Sequence, residues 1–67
     1  MKIFAERLKE LRIDKNLSNR TLGDAIGVSG STISRWENEL FEPNISELKS
    51  LAKFFGVSAD YLIGLED

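Results

Sequence analysis

Sixty-seven residues with 42% hydrophobic and 30% charged side chains make one folded domain, too short for two and too apolar to stay disordered. Cysteine and histidine are both absent, which excludes a disulfide framework, a thiolate zinc site and the commonest general base. The net charge of −2 is uneven: residues 1–36 hold seven Lys or Arg against four Asp or Glu (+3), and residues 37–67 hold two against seven (−5), so any polyanionic partner is expected to meet the N-terminal half.

Helix one is predicted from about Ile3 to Asn16, because Phe4, Leu8 and Leu11 recur at i, i+4 and i+7. Ser18 has the character of an N-cap for a second helix ending near Ile26, with Gly27 as the residue that turns the chain. Ser29 opens a third helix running through Trp36. Pro43 breaks the chain, and Asn44 with Glu47 has capping-box spacing for a fourth helix. Its stripe is Ile45, Leu48, Leu51, Ala52 and Phe55, and Gly56 ends it. Ser58 caps a short fifth helix carrying Tyr61, Leu62 and Leu65. No segment alternates with period two for long enough to predict a strand, and no repeat or linker divides the chain. Apolar runs span only a few residues, so no membrane span or signal peptide is expected and the protein is placed in the cytoplasm.

The window 19–38 carries the most information. Two short helices crossing steeply about a tight turn need apolar residues where they face each other, a small residue at close approach and a glycine at the reversal. Leu22, Ile26, Val28, Ile33 and Trp36 supply the apolar contacts, and Gly27 the reversal. Gly23 costs about 1 kcal/mol inside a helix relative to alanine. A close helix crossing would explain its presence.

In these residues the sequence resembles the lambda-repressor-like (Cro/C1, or XRE) family of helix-turn-helix transcriptional regulators. The resemblance runs through Glu6–Arg12, Leu17-Ser18, Gly27-Val28-Ser29, Ser31–Asn38, Glu42–Ile45, Leu51–Ser58 and Asp60–Gly64. It implies an all-α, five-helix domain covering residues 1–67, with the helix-turn-helix at 19–38. It also implies a homodimer on a palindromic operator of double-stranded DNA, with half-sites about one DNA turn apart, roughly 34–36 Å.

Carried over position by position, the resemblance puts Gly30, Ser31, Ser34 and Arg35 at base-reading positions. Arg35 is the first choice for a direct base contact, because a guanidinium can bond bidentately to guanine O6 and N7; a phosphate contact is its main alternative. Ser18, Asn19, Arg20, Thr32 and Asn38 fall at phosphate-contacting positions, the first three at a helix start that attracts anions. Arg12 and Glu37 match an arginine and a glutamate that pair structurally between helices one and three. Trp36 shares a helical face with Ile33 and belongs in the core rather than stacked on a base. Leu62, Ile63 and Leu65 are candidate dimerisation residues, with the monomer core as the competing place for Leu62 and Ile63.

Three departures from the family pattern bear on affinity. Gly30 stands where a long polar side chain is usual, and Asn19 is shorter than the usual glutamine. The loop after helix three reads Glu39-Leu40-Phe41-Glu42, where relatives often carry glycine and basic residues. Carboxylates near phosphates repel, so weaker non-specific binding is expected. Leu40 and Phe41 are expected to pack onto helix four, with a partner surface as the alternative. The chain reads as a sequence-specific regulator, a repressor in type, with no cofactor and no metal. A protein-interaction module on the same fold, of antitoxin or anti-regulator kind, is the alternative. An enzyme is not expected, since no paired carboxylates or glycine-rich phosphate loop are present.

Overall fold

The computed structural model describes residues 2–67. Its helices are α1 (Lys2–Asp14), α2 (Asn19–Ile26), α3 (Gly30–Glu37), α4 (Ile45–Phe55) and α5 (Ala59–Ile63), with no strand among the described residues. The fold is all-α. α3 packs on α2 and α1, α2 also meets α4, and α5 closes against α1 and α4.

Local chemistry sets each helix start. Ser18, Ser29, Asn44 and Ser58 take extended backbone, and each side chain accepts from the backbone N–H three residues on. At α4 the box is reciprocal: Glu47 N–H donates to Asn44 Oδ1 at 2.8 Å, and Asn44 N–H to Glu47 Oε1 at 2.9 Å. The helix ends are equally regular, and those of α1 and α3 differ from the sequence-based reading. α1 stops at Asp14 because Asn16 turns left-handed (φ 58°); Asn16 N–H donates to Ile13 O and Leu17 N–H to Arg12 O. α3 stops because Glu39 does the same (φ 62°), with Glu39 N–H donating to Trp36 O and Leu40 N–H to Arg35 O. Both are Schellman closures built without glycine.

The core takes Phe4, Ala5 and Leu8 from α1, Leu22 from α2, Ile33 and Trp36 from α3, Leu51 and Ala52 from α4, and Leu62 from α5. Phe4 meets Trp36 edge to face, ring centres 6.3 Å apart, an arrangement the aromatic quadrupoles favour. α4 buries its stripe only from the second turn onward, and Ile45, on the first, is exposed. Leu65 lies beyond the end of α5 and is 72% exposed.

Two corrections concern glycines and one the dimerisation set. Gly23 answers the turn rather than a helix crossing: a Cβ there would sit 2.5 Å from Val28 O and 3.0 Å from Ser29 C. The close helix approach is at Gly30 instead, where a Cβ would lie 3.1 Å from the backbone N and Cα of Arg20. Leu62 is fully buried among the core residues, so it has no surface to give a second copy. Ile63 is half-buried, and Leu65 alone of that set is fully open.

Candidate nucleic-acid interface

The contact at Gly30 brings the first turns of α2 and α3 together. Each is an eight-residue helix whose opening N–H groups have no intrahelical acceptor, so partial positive charge gathers there. Both starts are braced by matching serine–threonine pairs. Thr21 N–H donates to Ser18 Oγ at 3.0 Å and Ser18 Oγ–H to Thr21 Oγ1 at 2.9 Å. Thr32 N–H donates to Ser29 Oγ at 3.0 Å, and the two hydroxyls of that pair share a hydrogen bond of 3.0 Å.

α3 divides its sides cleanly. Ile33 and Trp36 are buried, while Ser31 and Arg35 are exposed and Ser34 is half-buried. Asn38, exposed past the helix end, donates from Nδ2 to Ser34 O at 2.8 Å and to Ser34 Oγ at 3.3 Å. Its amide thus already closes the helix. Thr32 is half-buried and held by its cap, and Arg20 is exposed. Asn19 is half-buried, and its Oδ1 is buried without a hydrogen-bond partner. An amide oxygen accepts and cannot bond a phosphate oxygen, so only its NH₂ could serve that contact. Gly30 offers no side chain, and the direction a Cβ would take points into α2. It cannot read a base edge by side chain, and a Cβ there would press on the backbone of Arg20.

Arg12 and Glu37 lie behind this surface. Arg12 Nε donates to Glu37 Oε2 at 2.7 Å and Nη2 to Oε1 at 3.0 Å, while Nη1 donates to Leu17 O at 2.8 Å. The side chains are 15% and 7% exposed. The hydrogen bond to Glu37 holds the Arg12 guanidinium above its ordinary pKa, burial works against this, and the charge of Glu37 adds to it.

Two features of this region escaped the sequence-based reading. Leu40 and Phe41 do not pack onto α4; they are 68% and 59% exposed. The Phe41 ring lies instead by the Arg35 guanidinium, 5.6 Å from carbon to ring centre. Between α1 and α5, Arg7 stacks over Tyr61 at 4.2 Å and donates to the Tyr61 and Glu66 carbonyls. Both contacts join residues that show no shared spacing in sequence, so only the folded chain reveals them.

Among the described residues no group of three acidic or other ligating side chains gathers. An open groove of about 470 Å³ beside α4 is lined by Ser46, Lys49, Ser50, Ala52, Lys53 and Ala59, without a carboxylate. No helix of the described residues is long and apolar enough to cross a membrane.

A family model described as helix-turn-helix (HTH_3) matches residues 8–62. The chain belongs to this helix-turn-helix family. Its match is of the Cro/C1 type that the motifs resemble. The chain is 41% identical over 64 residues to the HTH-type transcriptional activator BcrR of Enterococcus faecalis, covering 96% of this chain and 31% of that protein. Two further similar curated regulators, both from Bacillus subtilis, are spanned over 58% and 56% of their length. The P22 c2 repressor, solved with a synthetic operator, superposes with a TM-score of 0.86 at 35% identity, over 92% of this chain and 94% of that one. The helix-turn-helix fold is not confined to regulators. Hydroxypropylphosphonic acid epoxidase from S. wedmorenis contains it, with a TM-score of 0.81 at 29% identity over 91% of this chain and 32% of that one. Fold alone therefore does not assign the chemistry; the site must.

Proposed function

We propose that this domain, residues 1–67, is a sequence-specific, double-stranded DNA-binding transcriptional regulator that reads the major groove with α3. The observation that carries this is the division of α3: its inner face is core, and its outer face presents Arg35 and Ser31 beside the joined starts of two helices. Arg35 is the base reader, with Ser31 and Ser34 adding weaker discrimination. Gly30 contributes its backbone at the helix start. Ser18, Asn19, Arg20, Thr32 and Asn38 hold the phosphates, and the acidic Glu39–Glu42 loop lowers non-specific affinity.

The described residues measure 27 × 23 × 21 Å. That is less than one turn of DNA, roughly 34 Å, so one copy covers one half-site and a palindromic operator takes a homodimer. Of the C-terminal residues proposed for that contact, Leu65 and the half-buried Ile63 keep apolar surface to offer. Relatives include an activator and repressors; a repressor is the sign we propose. Neither metal nor cofactor takes part, and the protein works in the cytoplasm. The regulator names among its relatives favour this reading over a protein-interaction module or an enzyme.

The test is a selection from random duplex DNA at moderate salt, with Arg35→Ala beside the parent. An enriched inverted repeat with half-sites one turn apart is expected. Arg35→Ala should weaken binding to it by about 1–3 kcal/mol and relax one base position. Salt-sensitive binding without a preferred sequence would sink the proposal.

A further inference from the structure

The loop after α3 departs most from its family, and its aromatic residue has an unexpected position. Phe41 is 59% exposed, yet it is not free to wander. Leu40 N–H and Phe41 N–H both donate to the carbonyl of Arg35, at 2.9 and 3.4 Å. The left-handed turn at Glu39 that permits this doubles the chain back along the end of α3. The result is that the ring is fastened, through the backbone, to the residue whose guanidinium it faces at 5.6 Å. That distance is within cation–π range.

We infer that Phe41 is a positioning residue for Arg35: its ring restrains the guanidinium before DNA arrives and so sharpens base selection. This rests on Arg35 being the base reader. An exposed arginine has large rotamer freedom to lose on binding. A ring on one side removes part of that freedom in the free protein and leaves the edge donors of the guanidinium available for a bidentate base contact. A leucine would keep the apolar bulk but lacks the π face.

The experiment is a double-mutant cycle on the duplex that the parent enriches from a random pool, using the parent, Phe41→Leu, Arg35→Ala and the double variant. Phe41→Leu is expected to weaken binding about two- to fivefold, the size of one exposed cation–π contact. It should also reduce preference at the base pair that Arg35→Ala relaxes, while Phe41→Tyr restores both. In the Arg35→Ala background the Phe41→Leu loss should vanish. In the free protein, the Arg35 δ-methylene protons should show an upfield ring-current shift that Phe41→Leu abolishes. If the Phe41→Leu loss persists without Arg35, Phe41 touches DNA or a second copy itself, and the positioning role is overturned. If Arg35→Ala matters but Phe41→Leu changes neither affinity nor preference, positioning again fails while base reading stands. If Arg35→Ala binds as the parent does, base reading itself falls.

Discussion

Arg12 grips Glu37 with two donors and Leu17 O with a third, so one side chain ties α1, the turn after it and α3. A pair this enclosed contributes little beyond the cost of its own desolvation, but either half alone is a stranded charge. Glu37→Ala is therefore expected to cost about 3 kcal/mol, and the combined Arg12→Met, Glu37→Leu replacement much less. Urea midpoints of the three proteins decide it; a double variant as weak as the single would mean that the bond to Leu17 O dominates. The Arg12 guanidinium is no neutral-pH switch. A group whose pKa rises on folding stabilises fully below its unfolded value, here the ordinary arginine range, and loses that only as pH climbs through the higher folded value. The contribution of the Arg12 guanidinium is thus flat across neutral pH.

At the scale of elements, starts were more legible in the sequence than ends. Ser18, Ser29, Asn44 and Ser58 announce themselves because a capping oxygen acts three residues away, within a local window. Asn16 and Glu39 do not, because a left-handed closure by a non-glycine residue depends on carbonyls five residues back finding their donors. Gly30 was legible as a departure but not as a contact, since its meaning lies in the backbone of Arg20 on another helix. Phe41 and Leu40 failed the apolar-goes-inside expectation because the turn at Glu39 leads them back toward Arg35 rather than down onto α4.

Glu39 is also the element most open to improvement. A left-handed conformation strains an L-residue by about 1 kcal/mol, and a carboxylate sits badly at the negative end of a helix. Glycine's larger entropy in the unfolded chain returns part of the gain. Glu39→Gly is expected to stabilise by about 0.5–1 kcal/mol, a few degrees in Tm for a domain of this size. An unchanged or lower melting temperature would show that the Glu39 side chain stabilises the turn in its own right.

For the whole molecule the margin is small. At roughly 0.05–0.15 kcal/mol per residue, 67 residues hold about 3–10 kcal/mol. α5 is only five residues long, and it is held by the buried Leu62 and by the Arg7 strap. Removing the Leu62 side chain beyond Cβ costs about 2–5 kcal/mol, comparable with the total. Leu62→Ala should therefore populate unfolded chains at 37 °C. The single tryptophan, Trp36, lies in the same core and reports it by fluorescence in urea. A midpoint close to the parent's would mean that the core closes without its last helix.

The two sides of α3 share no duty. Ile33 and Trp36 are buried in the core, whereas the side chains of Ser31 and Arg35 are exposed and Ser34 accepts from Asn38. Even the closure of α3 uses the carbonyl of Arg35, which every amino acid possesses. On the proposed reading of α3, what the domain recognises can therefore drift largely independently of how it is built. Changes in the outward alphabet at 31 and 35 spare the buried residues of α3, so on that reading a gene duplicate can acquire a new target without first surviving an unstable intermediate.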